Sequence, residues 1–315
     1  MQKVTREKKI LQRKLKWIQY RAIQKGLDPA LIRHYFCVNN KEKSLFIGLN
    51  TAIITVVLVF ILGTITSFAV EYLISARCLL PINHLVWEAT RPLADCNYCA
   101  NVTKPIILQN ITRQNFRKYA YSSKPIIVKS AVKHWRATRE LNFYIFKRLY
   151  EETLGSYESL EEGCQFLNFK TNIFTLKQVF EMPDARINND PGQEPWYVGW
   201  GNCHPNILAN IRQYYSIPEF LPEDAEYPAT ENIFFGYEIG AVMHLDYIPR
   251  LMWQGQVKGK KIWTVIPVPE CEQICQKIQY YVEPGDIVLL DTRLWYHATT
   301  IPKGQFSLTV QSEYG

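Results

Sequence analysis

No second Cys-x-x-Cys accompanies the one at Cys96-Asn97-Tyr98-Cys99, so paired cysteines alone cannot assemble a four-ligand zinc site. No internal repeat or low-complexity tract interrupts the chain, which sets aside solenoids, propellers and compositionally biased linkers. No small-residue cleavage site flanks the long apolar run near the N-terminus, which excludes a removable leader peptide. A Lys-Asp-Glu-Leu retrieval signal is also missing. Histidine is scarce, at six in 315 residues, so histidines in a shared pattern carry weight.

Charge is missing from Ser44 to Val70, where Ile, Val, Leu, Phe and Thr dominate. That run is long enough to cross a bilayer with some tilt, and it predicts a transmembrane signal-anchor over 44–74. The preceding residues, 1–43, hold twelve Lys/Arg against three Asp/Glu, a net of +9 in a chain whose total is +7. Close beyond the span the basic residues are Arg77 and Arg91. The positive-inside rule therefore keeps the basic tail in the cytosol and sends the remainder across, a single-pass type II arrangement in the endoplasmic reticulum or Golgi. The basic balance is thus a membrane-topology signal and not one for nucleic acid. Within the tail, Ile10, Leu11, Leu15, Ile18 and Ala22 make an apolar stripe among lysines and arginines over Arg6–Lys25, a basic amphipathic helix suited to an anionic membrane face. Gly26 and Pro29 end it. Two sequons, Asn101-Val-Thr and Asn110-Ile-Thr, agree with a lumenal placement. So do seven of the eight cysteines, Cys78, Cys96, Cys99, Cys164, Cys203, Cys271 and Cys275, which follow the span. The Cys96/Cys99 pair is readable as a local bridge, a redox pair or half a zinc site, with structural disulfides the expected use and Cys78 the odd thiol. Residues 75–103 read as a lumenal stem and 104–315 as one domain, helix and strand mixed at first (a helix over Leu141–Thr153) and nearly all strand later.

Chemistry enters at His244-Leu245-Asp246, answered by His297 in Leu-Trp-Tyr-His. Two histidines and one carboxylate are the ligand set that holds non-haem Fe(II) on one face and leaves the other open. The i, i+2 spacing fits a strand, whose alternate side chains share a face. Ile233–Ile239 is rich in aromatic and β-branched residues and reads as that strand. A turn at Glu283-Pro284-Gly285-Asp286 opens the apolar run towards His297, and Gln256–Pro267 reads as a strand returning from a loop. Two neighbouring strands of a small barrel would bring the three ligands together. Lys261 lies in an apolar strand and so calls for an anionic partner, while parity sends Lys260 to the opposite face.

With these pieces in view, the block from Tyr237 to Tyr314 resembles the jumonji-C, or cupin-like, family of Fe(II)- and 2-oxoglutarate-dependent oxygenases, and is most similar to the branch containing the asparaginyl hydroxylase of hypoxia-inducible factor. The matching motifs are the H-x-D at 244–246, the K-G-x-K at Lys258–Lys261, Trp263–Pro267, the P-G-D at Pro284–Asp286 and the W-x-H ending at His297. Lys124–Ala131 with Trp135-Arg136-Ala137 is similar to that family's opening strand. The resemblance implies a mainly β fold, a double-stranded β-helix (jelly-roll, cupin-like) with flanking helices, here preceded by a single transmembrane helix. It implies His244, Asp246 and His297 as iron ligands and catalytic centre, with Lys261 and Tyr197 binding the distal carboxylate of 2-oxoglutarate. Fe(II), 2-oxoglutarate and O2 follow as cofactors, with ascorbate as a possible reductant, and a protein side chain as substrate. A storage-type cupin or metal-dependent sugar isomerase would need a second histidine two residues after the first and a glutamate a few residues on, which His244–Arg250 does not offer.

Three positions depart from the family pattern. Ala241 stands where a threonine often touches the cosubstrate, Gln311 near an expected asparagine, and Asp291 in place of a proline. They favour a rival expectation, a membrane-anchored binding or scaffold protein that keeps the fold without turnover. Topology is testable directly. Glycosidase treatment of the protein from cells should increase its gel mobility, and Asn101→Gln with Asn110→Gln should abolish that shift. Domain epitopes open to antibody from the cytosolic side of sealed microsomes would reverse the orientation.

Overall fold

The computed structural model of the chain describes residues 2–75 and 84–315, and it separates into two compact units, residues 1–86 and Trp87–Gly315. Arg77 and Cys78 lie outside the described residues.

The first unit is helical. α1 (Gln2–Gln24) carries the expected apolar stripe, with Ile10, Leu11, Leu15 and Ile18 exposed. Gly26, at φ 82°, lets the chain leave α1, and the Asp28 carboxylate then accepts from the Ala30 amide at 2.8 Å as Pro29 opens α2 (Pro29–Ser75). Within α2, Ile53–Leu73 is long and apolar enough to cross a membrane. Its Leu, Ile, Val and Phe side chains are exposed all round the helix, and leaving each in water costs about 1.5–3 kcal/mol. The polar exceptions satisfy themselves: Thr64 and Thr66 donate to the carbonyls of Phe60 and Leu62 at 3.0 and 2.8 Å, as hydroxyls in an apolar surround must. Such a helix suits lipid better than water.

The second unit is mainly β with flanking helices. Its strands are β1 (Ile106–Gln109), β2 (Ile126–Lys129), β3 (Phe166–Asn168), β4 (Tyr197–Asn202), β5 (Glu231–Tyr237), β6 (Leu251–Lys258), β7 (Lys261–Pro267), β8 (Ile278–Val282), β9 (Ile287–Leu290), β10 (Trp295–Thr300) and β11 (Phe306–Tyr314). Eight form one sheet in the order β1-β2-β9-β6-β11-β5-β4-β3, and three form a second, β10-β7-β8. Every pairing is antiparallel except β1 with β2.

Burial explains the sequence texture. β4 and β9 are buried at every position, because helices cover one face of the large sheet and the small sheet faces the other. A strand covered on both sides reads as a continuous apolar run. β7 and β8 alternate instead, one face inward and one towards solvent. On the helical side, the helix Phe143–Glu152 starts where Asn142 caps the Ile145 amide at 3.1 Å. Its Phe143 meets Trp196 and its Phe146 meets Trp200 edge-on, and both tryptophans meet Phe235 edge-on, with centroids 5.0–6.1 Å apart. On the inner side, Met252, Val288 and Leu290 of the large sheet pack with Trp263, Val265 and Tyr280 of the small one.

The compact unit begins earlier than the boundary expected at 104. Residues from Trp87, expected as stem, belong to it, and Cys99 and Val102 are buried in the cluster between the sheets. The Cys-x-x-Cys is neither a local bridge nor half a zinc site: Cys96 bonds Cys271 and Cys99 bonds Cys275, while Cys164 bonds Cys203. Because Cys96 and Cys271 are 175 residues apart, that bridge removes on the order of 5 kcal/mol of unfolded-chain entropy. Its neighbour then closes only a small further ring and chiefly adds rigidity. Asn101 and Asn110 are exposed at left-handed turns, φ 64° and 50°.

The chain passes from the large sheet to the small one at Gly259, whose φ is 66°. A Cβ there would lie 1.7 Å from the Phe306 carbonyl oxygen, so both backbone and space demand glycine. Gly259→Ala should destabilise the domain by about 1–3 kcal/mol, read as a lowered melting midpoint. An unchanged midpoint would contradict this account of the corner.

Candidate metal centre

His297 sits on β10 at an inward, buried position, as the alternation of that strand requires. His244 and Asp246 do not lie within a strand as their spacing suggests. β5 ends at Tyr237, and the chain from 238 to 250 is irregular. Gly240, the third residue of this stretch, packs directly on Thr299, where an added Cβ would fall 2.2 Å from a carbonyl oxygen. What fixes the loop is one antiparallel bridge to β10. The His244 amide donates to the His297 carbonyl at 3.1 Å, and the His297 amide returns the bond at 2.9 Å. The Asp246 amide donates to Thr292 at 3.0 Å, and Ala241 exchanges with Thr299. The i, i+2 relation survives because the bridge imposes extended backbone locally.

The result is a tight donor cluster. His244 Nε2 lies 3.3 Å from Asp246 Oδ1, and His297 Nε2 lies 3.6 Å from Asp246 Oδ2. All three ligating atoms fall within 4.8 Å of one another. Each imidazole turns its Nδ1 to a backbone carbonyl, Val242 at 2.6 Å and Trp295 at 3.2 Å. A carbonyl can only accept, so Nδ1 carries the proton and the Nε2 lone pair points into the cluster. Two lone pairs and a carboxylate then converge, an arrangement balanced by a cation. Burial pushes the His297 imidazole down to about 4, which keeps it neutral. Burial opposes ionisation of Asp246 too, yet the two histidines hold its carboxyl below the usual range. His244 is half-exposed and His297 enclosed, so the cluster opens on the His244 side.

Lys261 begins β7 on the same inward face as Trp263 and Val265, and the Trp263 ring stacks on His297 at 5.8 Å. Lys260 turns outward to Glu283 at 3.3 Å, as strand parity requires. Lys261 is fully buried, and among the described residues it makes no ion pair. Its ammonium donates to Tyr197 Oη at 2.6 Å, Gln254 Oε1 at 3.2 Å and Thr309 Oγ1 at 3.2 Å. All three partners are neutral, and burial pulls the ammonium down to about 7. A buried cation ringed only by neutral oxygens fits an anionic ligand.

The structure therefore joins His244, Asp246 and His297 in one cluster, and Lys261 with Tyr197 in another on the same interior. Gln254 and Thr309 were not singled out from sequence; their signal was polarity at buried positions of β6 and β11. Among the family departures, Gln311 accepts from Gln254 Nε2 at 2.7 Å. Buried Asp291 has a structural use, accepting from Ser123 at 2.8 Å and from Arg293 at 2.8 and 2.9 Å.

No family model matches the chain, and no curated protein does. Among solved structures it is similar to the ribosomal oxygenase YcfD from Escherichia coli, with a TM-score of 0.40 and 13% identity over 66% of this chain and 51% of that one. A second structure of that protein gives 0.40 and 14% over 65% and 51%. The chain thus spans about half the length of the solved structures it matches.

Charge burial at Lys261 should be visible in stability. Lys261→Met is expected to raise ligand-free stability by about 1–4 kcal/mol, as when buried charges give way to apolar isosteres. The sign against pH follows from the lowered ammonium. Below about pH 7 the folded wild type carries the buried charge in full, and between about 7 and 10.5 the unfolded chain binds the extra proton, so wild-type stability rises with pH. The advantage of the methionine variant should therefore be largest below pH 7 and shrink above it. Urea titrations at pH 6 and 9 giving equal differences would contradict this.

Proposed function

We propose that the second unit is an Fe(II)- and 2-oxoglutarate-dependent oxygenase of the jumonji-C, cupin-like class, a hydroxylase of protein side chains akin to the asparaginyl hydroxylase branch. Its two sheets would be the walls of a double-stranded β-helix. The observation that carries this reading is the convergence of two histidine Nε2 atoms and one carboxylate on the interior that also holds a buried, anion-seeking lysine.

His244, Asp246 and His297 would hold the ferrous ion on one face and leave its other positions to cosubstrate and O2. When bound, iron, 2-oxoglutarate and O2 supply the oxidising power that converts a substrate C–H to C–OH, with release of succinate and CO2. The chain's own residues bind, orient and exclude water. Lys261 and the Tyr197 hydroxyl would take the distal carboxylate of 2-oxoglutarate, with Gln254 and Thr309 fixing the ammonium. Trp263, stacked between Tyr280 and His297, walls the interior. The half-exposed side at His244 is where a substrate side chain can approach.

α2 would anchor the protein as a single-pass type II membrane protein, with the catalytic unit in the lumen of the endoplasmic reticulum or Golgi. Three disulfides in the second unit and two exposed sequon asparagines support that compartment. A lumenal protein is the proposed substrate, reached without nucleic acid.

The full-length chain in detergent, given Fe(II), ascorbate and 2-oxoglutarate, should release succinate, and His244→Ala should reduce release to background. Lys261→Ala should raise the 2-oxoglutarate KM at least about tenfold, as expected when a charged contact to a cosubstrate is lost. Wild-type protein that neither turns over nor binds Fe(II) and 2-oxoglutarate spectroscopically would leave the scaffold reading standing.

A further inference from the structure

Glu88 lies in the helix α3 (His84–Thr90), far in sequence from the metal centre, yet it contacts both halves of it. One carboxylate oxygen, Oε1, accepts from the Tyr247 hydroxyl at 3.0 Å and from the Tyr296 hydroxyl at 2.9 Å. Tyr247 follows the ligand Asp246, and Tyr296 precedes the ligand His297. The other oxygen, Oε2, accepts from Arg91 Nε at 2.9 Å, and Arg91 in turn forks onto Glu270 at 2.6 and 2.8 Å.

The segment bearing Glu88 is fastened at several points. Glu270 also accepts from the Ala94 amide at 3.0 Å, and the next residue, Cys271, is bonded to Cys96. Cys99 is bonded to Cys275, the Tyr98 hydroxyl donates to the Leu294 carbonyl at 2.7 Å, and its ring meets Trp295 edge-on at 5.3 Å. Residues 88–99 thus form a strap, riveted to the β7–β8 connection and to the entry of β10.

Its position answers a weakness in the site. Asp246 sits on irregular chain, with one backbone bond to Thr292, and the next regular element begins at Leu251. A ligand on such a stretch wanders unless side chains tether it, and metal sites lose affinity when ligands stray by more than about 0.5 Å. Tyr247 provides the tether, and sharing one carboxylate oxygen with Tyr296 locks the loop to the strand that carries His297.

We infer that Glu88 is a positioning residue for the metal ligands, acting through Tyr247 and Tyr296, and that the doubly disulfide-bonded strap is the rigid backing of the metal centre. This rests on the metal-binding reading above. Glu88 lies on the outer side of β10, since Tyr296 alternates with inward His297. It therefore acts on ligand geometry and not on substrate directly.

The test uses the full-length chain in detergent and Co(II) as an air-stable probe. Tyr247→Phe with Tyr296→Phe removes both hydroxyls and keeps both rings. It should weaken Co(II) binding about tenfold, as loss of outer-shell support does, and shift the Co(II) d–d absorption, with the melting midpoint within about 4 °C of wild type. Glu88→Gln, which keeps one accepting oxygen but loses the charge facing Arg91, should weaken binding less. Cys99→Ser with Cys275→Ser should weaken it, whereas Cys164→Ser with Cys203→Ser should not. If the double phenylalanine variant does not fold, Glu88→Gln and the Cys99/Cys275 pair decide between the outcomes. Unchanged affinity and spectrum in those variants, beside a wild type that binds Co(II), overturn the strap inference alone. Wild-type protein that takes up no Co(II) overturns the metal-binding reading and this inference with it.

Discussion

Two backbone hydrogen bonds, exchanged between His244 and His297, are the constraint on which the rest of the site depends. They join the irregular chain after β5 to the small sheet, and so bring together two histidines 53 residues apart in sequence. Without that bridge the two imidazoles have no fixed relation, and the carboxylate of Asp246, two residues on, has nothing to face. Everything else around the centre reinforces this single junction: the Ala241–Thr299 exchange on one side, the Asp246–Thr292 bond on the other, and Trp263 stacked beneath His297.

The same interior holds a second costly feature, a lysine with neutral neighbours. A domain that only needed stability would place an apolar residue at the start of β7, since burying charge without a counter-charge is unfavourable by several kcal/mol. Lys261 is tolerated because Tyr197, Gln254 and Thr309 supply oxygens from three different strands of the large sheet. That network ties β7 to β4, β6 and β11, so the buried ammonium is also a link between the sheets.

Much of this was legible in the residues. Strand alternation separated Lys260 from Lys261, the aromatic run 233–239 pointed to β5, which spans 231–237, and the turn at Pro284–Gly285 located the entry to β9. The grouping of His244, Asp246 and His297 was legible as chemistry, because a candidate metal site is marked by its residue types whatever the backbone does. Its local structure was not: a short extended stretch held by one bridge looks identical, in sequence, to the interior of a strand. Residues 87–103 misled for a related reason. Their order comes from cysteines and aromatics bonded to chain some 175 residues away, and periodicity within a window reports only local regularity. Gln254, Thr309 and Glu88 were hidden because their roles exist only where three or four distant segments meet.

The two neighbouring cystines have a consequence for biosynthesis. Cys96 and Cys99 emerge from the ribosome long before Cys271 and Cys275 are made, and three residues apart they are well placed to oxidise with each other first. The mature pattern then cannot arise by simple closure as the chain lengthens. It requires the early partners to be held reduced until the segment bearing Cys271 and Cys275 is complete, or their bond to be exchanged then.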